Sequence, residues 1–156
     1  MICTPNVPPA VRNWAVCERR IAWMSGKLHS LERGEPQGFV EALRLRAAGR
    51  PGYSPEETEE KRRRLTCRIR HYSALRSRIE NTLPRKPASY LFREEQLPEL
   101  VGSTLKWRKH KFRGNAIFET ITHVAPDGKG ICSVLTEGSQ PLTPLDLLCR
   151  GFGVTA

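Results

Sequence analysis

The sequence contains no long apolar segment and no secretory signal. None of its 156 residues belongs to a run of 18 apolar residues, so a membrane-spanning helix is not expected. The first ten residues, MICTPNVPPA, lack the basic region and the apolar stretch of a signal peptide. We therefore expect a soluble, cytoplasmic protein, with a modest core built from its 38% hydrophobic residues.

The cysteines lack the pairing pattern of a disulfide framework. Five cysteines are scattered over the chain, an odd number with no CxxC pair. Such a set is typical of reduced thiols in the cytosol.

The familiar motifs of catalysis and nucleotide binding are also missing. The chain contains no GxxxxGK[ST], GxGxxG, HExxH or GxSxG pattern. This absence does not by itself exclude catalysis, but nothing positive favours it. The sequence predicts a protein that is not an enzyme and that has no cofactor and no metal.

One pair of residues nevertheless resembles a catalytic pair. If the predicted hairpin places Ala125 opposite Gly130, His123 lies opposite Cys132, with Cβ atoms about 5 Å apart. A thiol beside an imidazole can act as a nucleophile, and Glu119 could orient the ring. The simpler interpretation, which we prefer, is a small apolar cysteine beside a partly exposed histidine.

A zinc site is the other alternative, and it is equally weak. Its spacings match no common zinc pattern, and its ligands would be His110, His123, Cys132 and Cys149.

Two long helices are the clearest feature of the sequence. A 3-4 spacing of apolar residues predicts a helix over residues 9–33, with Gly34 after its end. Its stripe is Trp14, Cys17, Ile21, Met24, Leu28 and Leu31. A second helix is predicted to begin at Ser54, with a capping box completed by Glu57, and to end before Pro84. Its stripe is Leu65, Ile69, Tyr72, Arg76, Ile79 and Leu83.

The two stripes predict an antiparallel helical hairpin with coiled-coil-like packing. A short helix containing Phe39, Val40 and Leu43 is expected in the long connection between them. Arg76 interrupts the second stripe: its head either reaches solvent at the edge of the seam or pairs with an acid such as Glu18. A homodimer formed through the same helices is an alternative that the sequence leaves undecided.

The remainder of the chain predicts a small antiparallel β module. Residues 1–86 would form the helical hairpin, residues 87–102 a linker with a short helix, and residues 103–156 the β module. Three strands in a meander are expected over about 105–112, 115–124 and 131–136, followed by a short helix over 145–150. The predicted fold class is α+β, and the short sheet with one helical turn suggests an SH3-like or similar small barrel.

The positive charge is concentrated in the first half of the chain. The net charge is +10, and residues 1–86 carry 18 Lys and Arg against 9 Asp and Glu. Nucleic acid, DNA or RNA, is the commonest partner for such a chain, and an acidic protein surface is the alternative. A membrane is not the expected partner.

The second long helix carries a candidate binding ridge. At about 100° per residue, Arg63 and Arg70 lie almost opposite Leu65, and Arg64, His71 and Arg78 flank them. A solvated charged face is the ordinary explanation. Seven arginines and one lysine between positions 61 and 78 favour phosphate recognition, because the planar guanidinium binds phosphate bidentately.

The stretch from Leu105 to Phe112 is the second candidate. Neither of its faces is apolar when it is read as a strand, so we expect an edge strand. Lysines alone could serve to deter aggregation, but cations interleaved with an aromatic ring suit a nucleic-acid contact. The predicted contacts here are Lys106, Trp107, Arg108, Lys109, Lys111 and Arg113.

The prediction is therefore a small basic accessory protein that binds nucleic acid mainly through phosphates. The alternative is a protein–protein interaction module, either an adaptor or an inhibitor of a larger complex.

Overall fold

The structure, a computed structural model, describes residues 7–107, 115, 117–138 and 140–150, without the side chains of residues 106, 107 and 150. Its helices are α1 (Pro9–Glu32), α2 (Phe39–Ala47), α3 (Pro55–Thr82) and α4 (Pro144–Arg150). Two 3₁₀ segments cover Pro87–Tyr90 and Glu94–Leu100, and the strands are β1 (Thr104–Trp107), β2 (Ile117–Pro126) and β3 (Cys132–Thr136). The predicted α+β class is confirmed.

The helix predicted over residues 9–33 is confirmed as α1. Its C-terminal end is closed by Gly34, whose φ of 77° suits glycine and whose N–H donates to the Leu31 carbonyl at 3.0 Å. Four residues of the predicted apolar stripe are buried and two are half-buried. The buried ones are Trp14, Cys17, Met24 and Leu31.

The start of α3 is only partly as predicted. Ser54 Oγ accepts a hydrogen bond from the Glu57 N–H at 3.2 Å, so the N-cap is confirmed. The Glu57 carboxylate does not complete a capping box. It contacts Arg44 at 3.1 Å and Arg50 at 2.5 Å, because two guanidinium groups are stronger partners than one backbone N–H.

The chain divides into two compact units. We call residues Cys17–Arg78 the helical unit, and Met1–Val16 together with Ile79–Ala156 the sheet unit. The sequence predicted three successive segments, residues 1–86, 87–102 and 103–156. This division stays a prediction.

Within the helical unit, α1 and α3 contact each other through polar groups. Arg76 Nη1 donates to Glu18 Oε1 at 2.8 Å, and Arg20 hydrogen-bonds to the Tyr72 hydroxyl. From Glu18 to Arg20 in α1, the contacted residue in α3 changes from Arg76 to the earlier Tyr72, as expected for antiparallel helices. Of the two interpretations of Arg76, the paired one is therefore found.

The apolar stripe of α3 is only half-buried. Leu65, Ile69 and Tyr72 keep part of their surface exposed, and none of the residues that the structure describes in α3 is fully buried.

In the sheet unit, the three strands form an antiparallel meander in the order β1-β2-β3. β1 is an edge strand, as predicted, and its Leu105 is buried. Only residues 105–107 of the predicted first strand are described. Residues 108–112, which complete the prediction, lie outside the described part of the chain.

The turn between β2 and β3 corrects the predicted register. Asp127 Oδ1 accepts hydrogen bonds from the N–H groups of Lys129 at 2.8 Å and Ile131 at 3.0 Å. The Asp127 N–H also bonds to the Ile131 carbonyl at 2.8 Å. Pairing therefore resumes at Pro126 opposite Cys132, so the predicted pairing of Ala125 with Gly130 is wrong.

The predicted closure into an SH3-like barrel is not found among the described strands. Besides the three described strands, a single antiparallel bridge joins Val134 of β3 to Leu142. The sheet formed by the described strands otherwise stays open. α4 begins as predicted, because Thr143 and Asp146 form a reciprocal cap in which the Thr143 N–H donates to Asp146 Oδ2 at 3.0 Å.

The sheet unit contains two apolar clusters. The first joins the sheet to the second 3₁₀ segment and consists of Phe92, Leu97, Leu100, Leu105, Ile121, Val134, Leu142 and Leu147. The second joins the first turns of α1 to α4 and consists of Val11, Trp14, Ala15, Tyr90 and Leu148. None of the described helices is long and apolar enough to cross a membrane.

Candidate nucleic-acid interface

The exposed face of α3 contains arginines of two kinds. From Lys61 to Arg78 the sequence has no acidic residue, whereas four glutamates stand in the first six residues of the helix. In an α-helix, only residues three or four positions apart are neighbours on the surface. The glutamates can therefore reach the first arginines and not the later ones.

The first arginines are ion-paired within the helix. Arg63 lies 2.8 Å from Glu60, and Arg64 lies 2.8 Å from the same carboxylate. Arg62 lies 2.6 Å from Glu59. Hydrogen bonds from Arg63 and then Arg64 lower the pKa of Glu60, so this carboxylate stays ionised in weak acid. Arg63 and Arg64, both predicted site residues, are thus partly neutralised by Glu60.

The later arginines of α3 differ from the first ones in their surroundings. Arg68, Arg70 and Arg78 are exposed, and no carboxylate in the described part of the chain forms an ion pair with any of them. His71 is also exposed and packs edge-on against the Tyr72 ring at 5.2 Å. Arg70 and Arg78 are eight residues apart, about 12 Å along the axis, so they can contact different phosphates.

We call Arg70, His71 and Arg78 the free arginine face, because they lie within roughly 100° of one another around α3. Arg68 lies about 160° from Arg70, beside the apolar stripe. Arg68 was not among the residues selected from the sequence. A simple rule would have found it: no acid stands three or four residues before or after Arg68, Arg70 or Arg78.

The second candidate, on β1, is only partly described. The backbones of Lys106 and Trp107 are in β1, opposite Phe118 and Ile117 of β2. The other predicted contacts of this stretch lie outside the described residues: Arg108, Lys109, Lys111 and Arg113. Their role stays a prediction.

The alternative catalytic pair is not formed. His123 pairs with Leu135, and Cys132 pairs with Pro126, because the Asp127 turn shifts the register of these pairs. Burial raises the pKa of the Cys132 thiol, and the nearby Glu94 carboxylate raises it further. The thiol is thus further from its reactive thiolate form than an ordinary cysteine.

The alternative zinc site has no support in the described part of the chain. No three histidine, cysteine, aspartate or glutamate side chains there come together as metal ligands. His110, one of the four suggested ligands, lies outside the described residues.

Comparison with protein-family models, with curated proteins and with solved structures finds no match to this chain.

Proposed function

We propose that this protein binds nucleic acid, DNA or RNA, mainly through its phosphates and without catalysing a reaction. One observation carries the proposal: the free arginine face is exposed and has no carboxylate partner among the described residues. An arginine that forms no ion pair within the protein can bind a phosphate without first giving up another partner.

The charge of the whole chain supports the same function. A net charge of +10 attracts a polyanion and accelerates its encounter with the protein. Phosphate contacts carry little sequence information, so we expect binding that depends strongly on salt and weakly on base sequence.

The setting that we propose is the cytoplasm. Three of the described cysteines, Cys17, Cys67 and Cys132, are free thiols, which is consistent with a reducing compartment.

The test compares two double variants that remove the same charge from α3. Arg70→Gln with Arg78→Gln removes two unpaired arginines, and Arg63→Gln with Arg64→Gln removes two paired ones. Fluorescence anisotropy would follow binding to labelled single- and double-stranded DNA and RNA over a salt series. For duplex DNA, the first variant should lower the slope of log affinity against log salt by about two, and the second by clearly less.

Two results would overturn the proposal. One is no binding of the wild-type protein to any of the four ligands at low salt. The other, an equal loss in both double variants, would overturn the assignment of binding to the free arginine face, because net charge alone would then act. The β1 stretch is tested in the same assay by Lys109→Glu with Lys111→Glu, for which we expect a sharp loss of affinity.

A further inference from the structure

The short helix α2 exposes its apolar side chains. Phe39 and Val40 are each 77% exposed and Leu43 is 47% exposed, while Leu45 is the one buried residue of the helix. Together with Ala47, the three exposed residues lie within an arc of roughly 100° on one side of the helix. An ordinary surface helix has the opposite arrangement. We call Phe39, Val40, Leu43 and Ala47 the outer face of α2.

Ion pairs hold α2 in this orientation. Arg44 bridges Glu41 and Glu57, at 3.1 Å from each, so the inner side of α2 is bound to the first turn of α3. Arg50 contacts Glu57 at 2.5 Å, and Lys61 lies 3.8 Å from Glu41. The polar side of α2 is thus occupied within the helical unit, which leaves the apolar side outward.

A depression lies along the flank of the same helix. It has a volume of about 540 Å³, and apolar groups of Pro36, Leu45 and Pro51 line it. Arg46 and Arg50 also line it. Helical geometry places Arg46 between this depression and the outer face. Arg46 is exposed, and none of the carboxylates described in the structure pairs with it.

We propose that the outer face of α2 and the adjacent depression bind an amphipathic helix of a partner protein, with acidic residues beside its apolar stripe. Apolar side chains of the partner would cover Phe39, Val40 and Leu43, and one would enter the depression. A carboxylate of the partner would pair with Arg46. This site is separate from the free arginine face and does not depend on nucleic-acid binding.

Charge and shape favour this occupant over two others. The helical unit carries 15 Lys and Arg against 8 Glu, and the outer face has a cation beside it but no acid. A second copy would bring two like-charged surfaces together. A lipid bilayer is flat at this scale and would leave the depression unfilled, whereas a helix presents side chains that fit a concave site.

The test uses two synthetic probes. The first is a fluorescein-labelled helical peptide with leucines at every third or fourth position and glutamates beside them. The second has lysine in place of each glutamate. We expect the wild-type protein to bind the glutamate peptide with a Kd of about 10–100 µM and the lysine peptide much more weakly.

Two variants locate the binding. Phe39→Ser with Val40→Ser should weaken binding of the glutamate peptide by about tenfold or more. Arg46→Glu should weaken the glutamate peptide and strengthen the lysine peptide. Ile131→Ser is the matched control, because Ile131 is as exposed as Leu43 and belongs to the sheet unit. It should bind like the wild type. Circular dichroism would confirm that the variants stay folded, as expected for changes at exposed positions.

Several results would overturn the proposal. These are no binding of either peptide at about 1 mM, equal binding of both, or binding that the double serine variant leaves unchanged. Light scattering that shows a wild-type dimer and a monomeric double serine variant would identify a second copy as the occupant. Binding to phosphatidylglycerol vesicles that is lost in the same variant would identify lipid.

Discussion

Both halves of α3 are rich in arginine, and they differ in what surrounds the arginines. In the first half, Arg62, Arg63 and Arg64 follow glutamates by three or four residues and pair with them. In the second half, from Arg68 to Arg78, the chain contains no acid, and Arg68, Arg70 and Arg78 stay unpaired among the described residues. Arginine content alone therefore does not identify a binding surface. The spacing of acids around each arginine does.

Arg76 is the exception in the second half, because its partner comes from α1. Arg76→Ala would remove the guanidinium partner of Glu18, whose side chain is only 30% exposed in the ion pair. We expect the free energy of unfolding to fall by about 1–2 kcal/mol. Urea unfolding followed by circular dichroism measures this change.

Arg64→Ala is the matched comparison from the first half and should change stability little, because the Arg64 side chain is 74% exposed. A double variant, Glu18→Leu with Arg76→Leu, should recover most of the loss, since an apolar pair can replace a half-buried ion pair. If Arg76→Ala unfolds at the same urea concentration as the wild type, the Arg76–Glu18 pair does not stabilise the fold.

A single acid introduced into the second half of α3 should ion-pair with its arginines, as the glutamates do in the first half. Ala74 is exposed and lies four residues after Arg70 and four before Arg78. Ala74→Glu places a carboxylate within reach of both arginines, so we expect nucleic-acid affinity to fall roughly fivefold at low salt. Anisotropy with labelled duplex DNA measures it.

The converse change is Glu60→Gln, which frees Arg63 and Arg64 and should raise affinity by about twofold. An unchanged affinity in both variants would mean that ion pairing within α3 does not control binding. Both substitutions also change the net charge by one, so Ala47→Glu on α2 serves as the charge control for the loss.

The acidic first half of α3 should also determine how stability depends on pH. Arg50 lowers the pKa of Glu57 to about 2, against an ordinary value of 4.5. A lowered folded-state pKa contributes stability that is present above the unfolded value and is lost as pH falls from about 4.5 toward 2. Glu57→Gln should therefore flatten the loss of stability over this window, as measured by thermal unfolding between pH 5 and pH 2. An equal slope in the wild type and the variant would exclude Glu57 as a cause.

Local periodicity was sufficient to predict the helices and the order of the strands. The stripe from Trp14 to Leu31 and the cap at Ser54 depend on neighbours within one or two turns, and both are found. The pairing of Arg76 with Glu18 was one of two alternatives, because periodicity places a residue on a face without choosing its partner.

The features that were missed depend on contacts between distant residues or on a single side chain. Glu57 binds Arg44 and Arg50, which no spacing within α3 reveals. The same contacts orient α2 with its apolar side outward, against the usual amphipathic rule. In the hairpin, Asp127 bonds to the backbone of Ile131 and shifts every later pair, including the one that would have joined His123 to Cys132.

The Asp127 turn has a consequence for the order in which the sheet assembles. Only residues 127–131 separate β2 from β3. Chain entropy opposes closure of so short a connection only weakly, and Asp127 supplies two hydrogen bonds that hold it closed. We therefore expect β2 and β3 to pair early during folding, so that β2 already belongs to a hairpin when β1 adds to it.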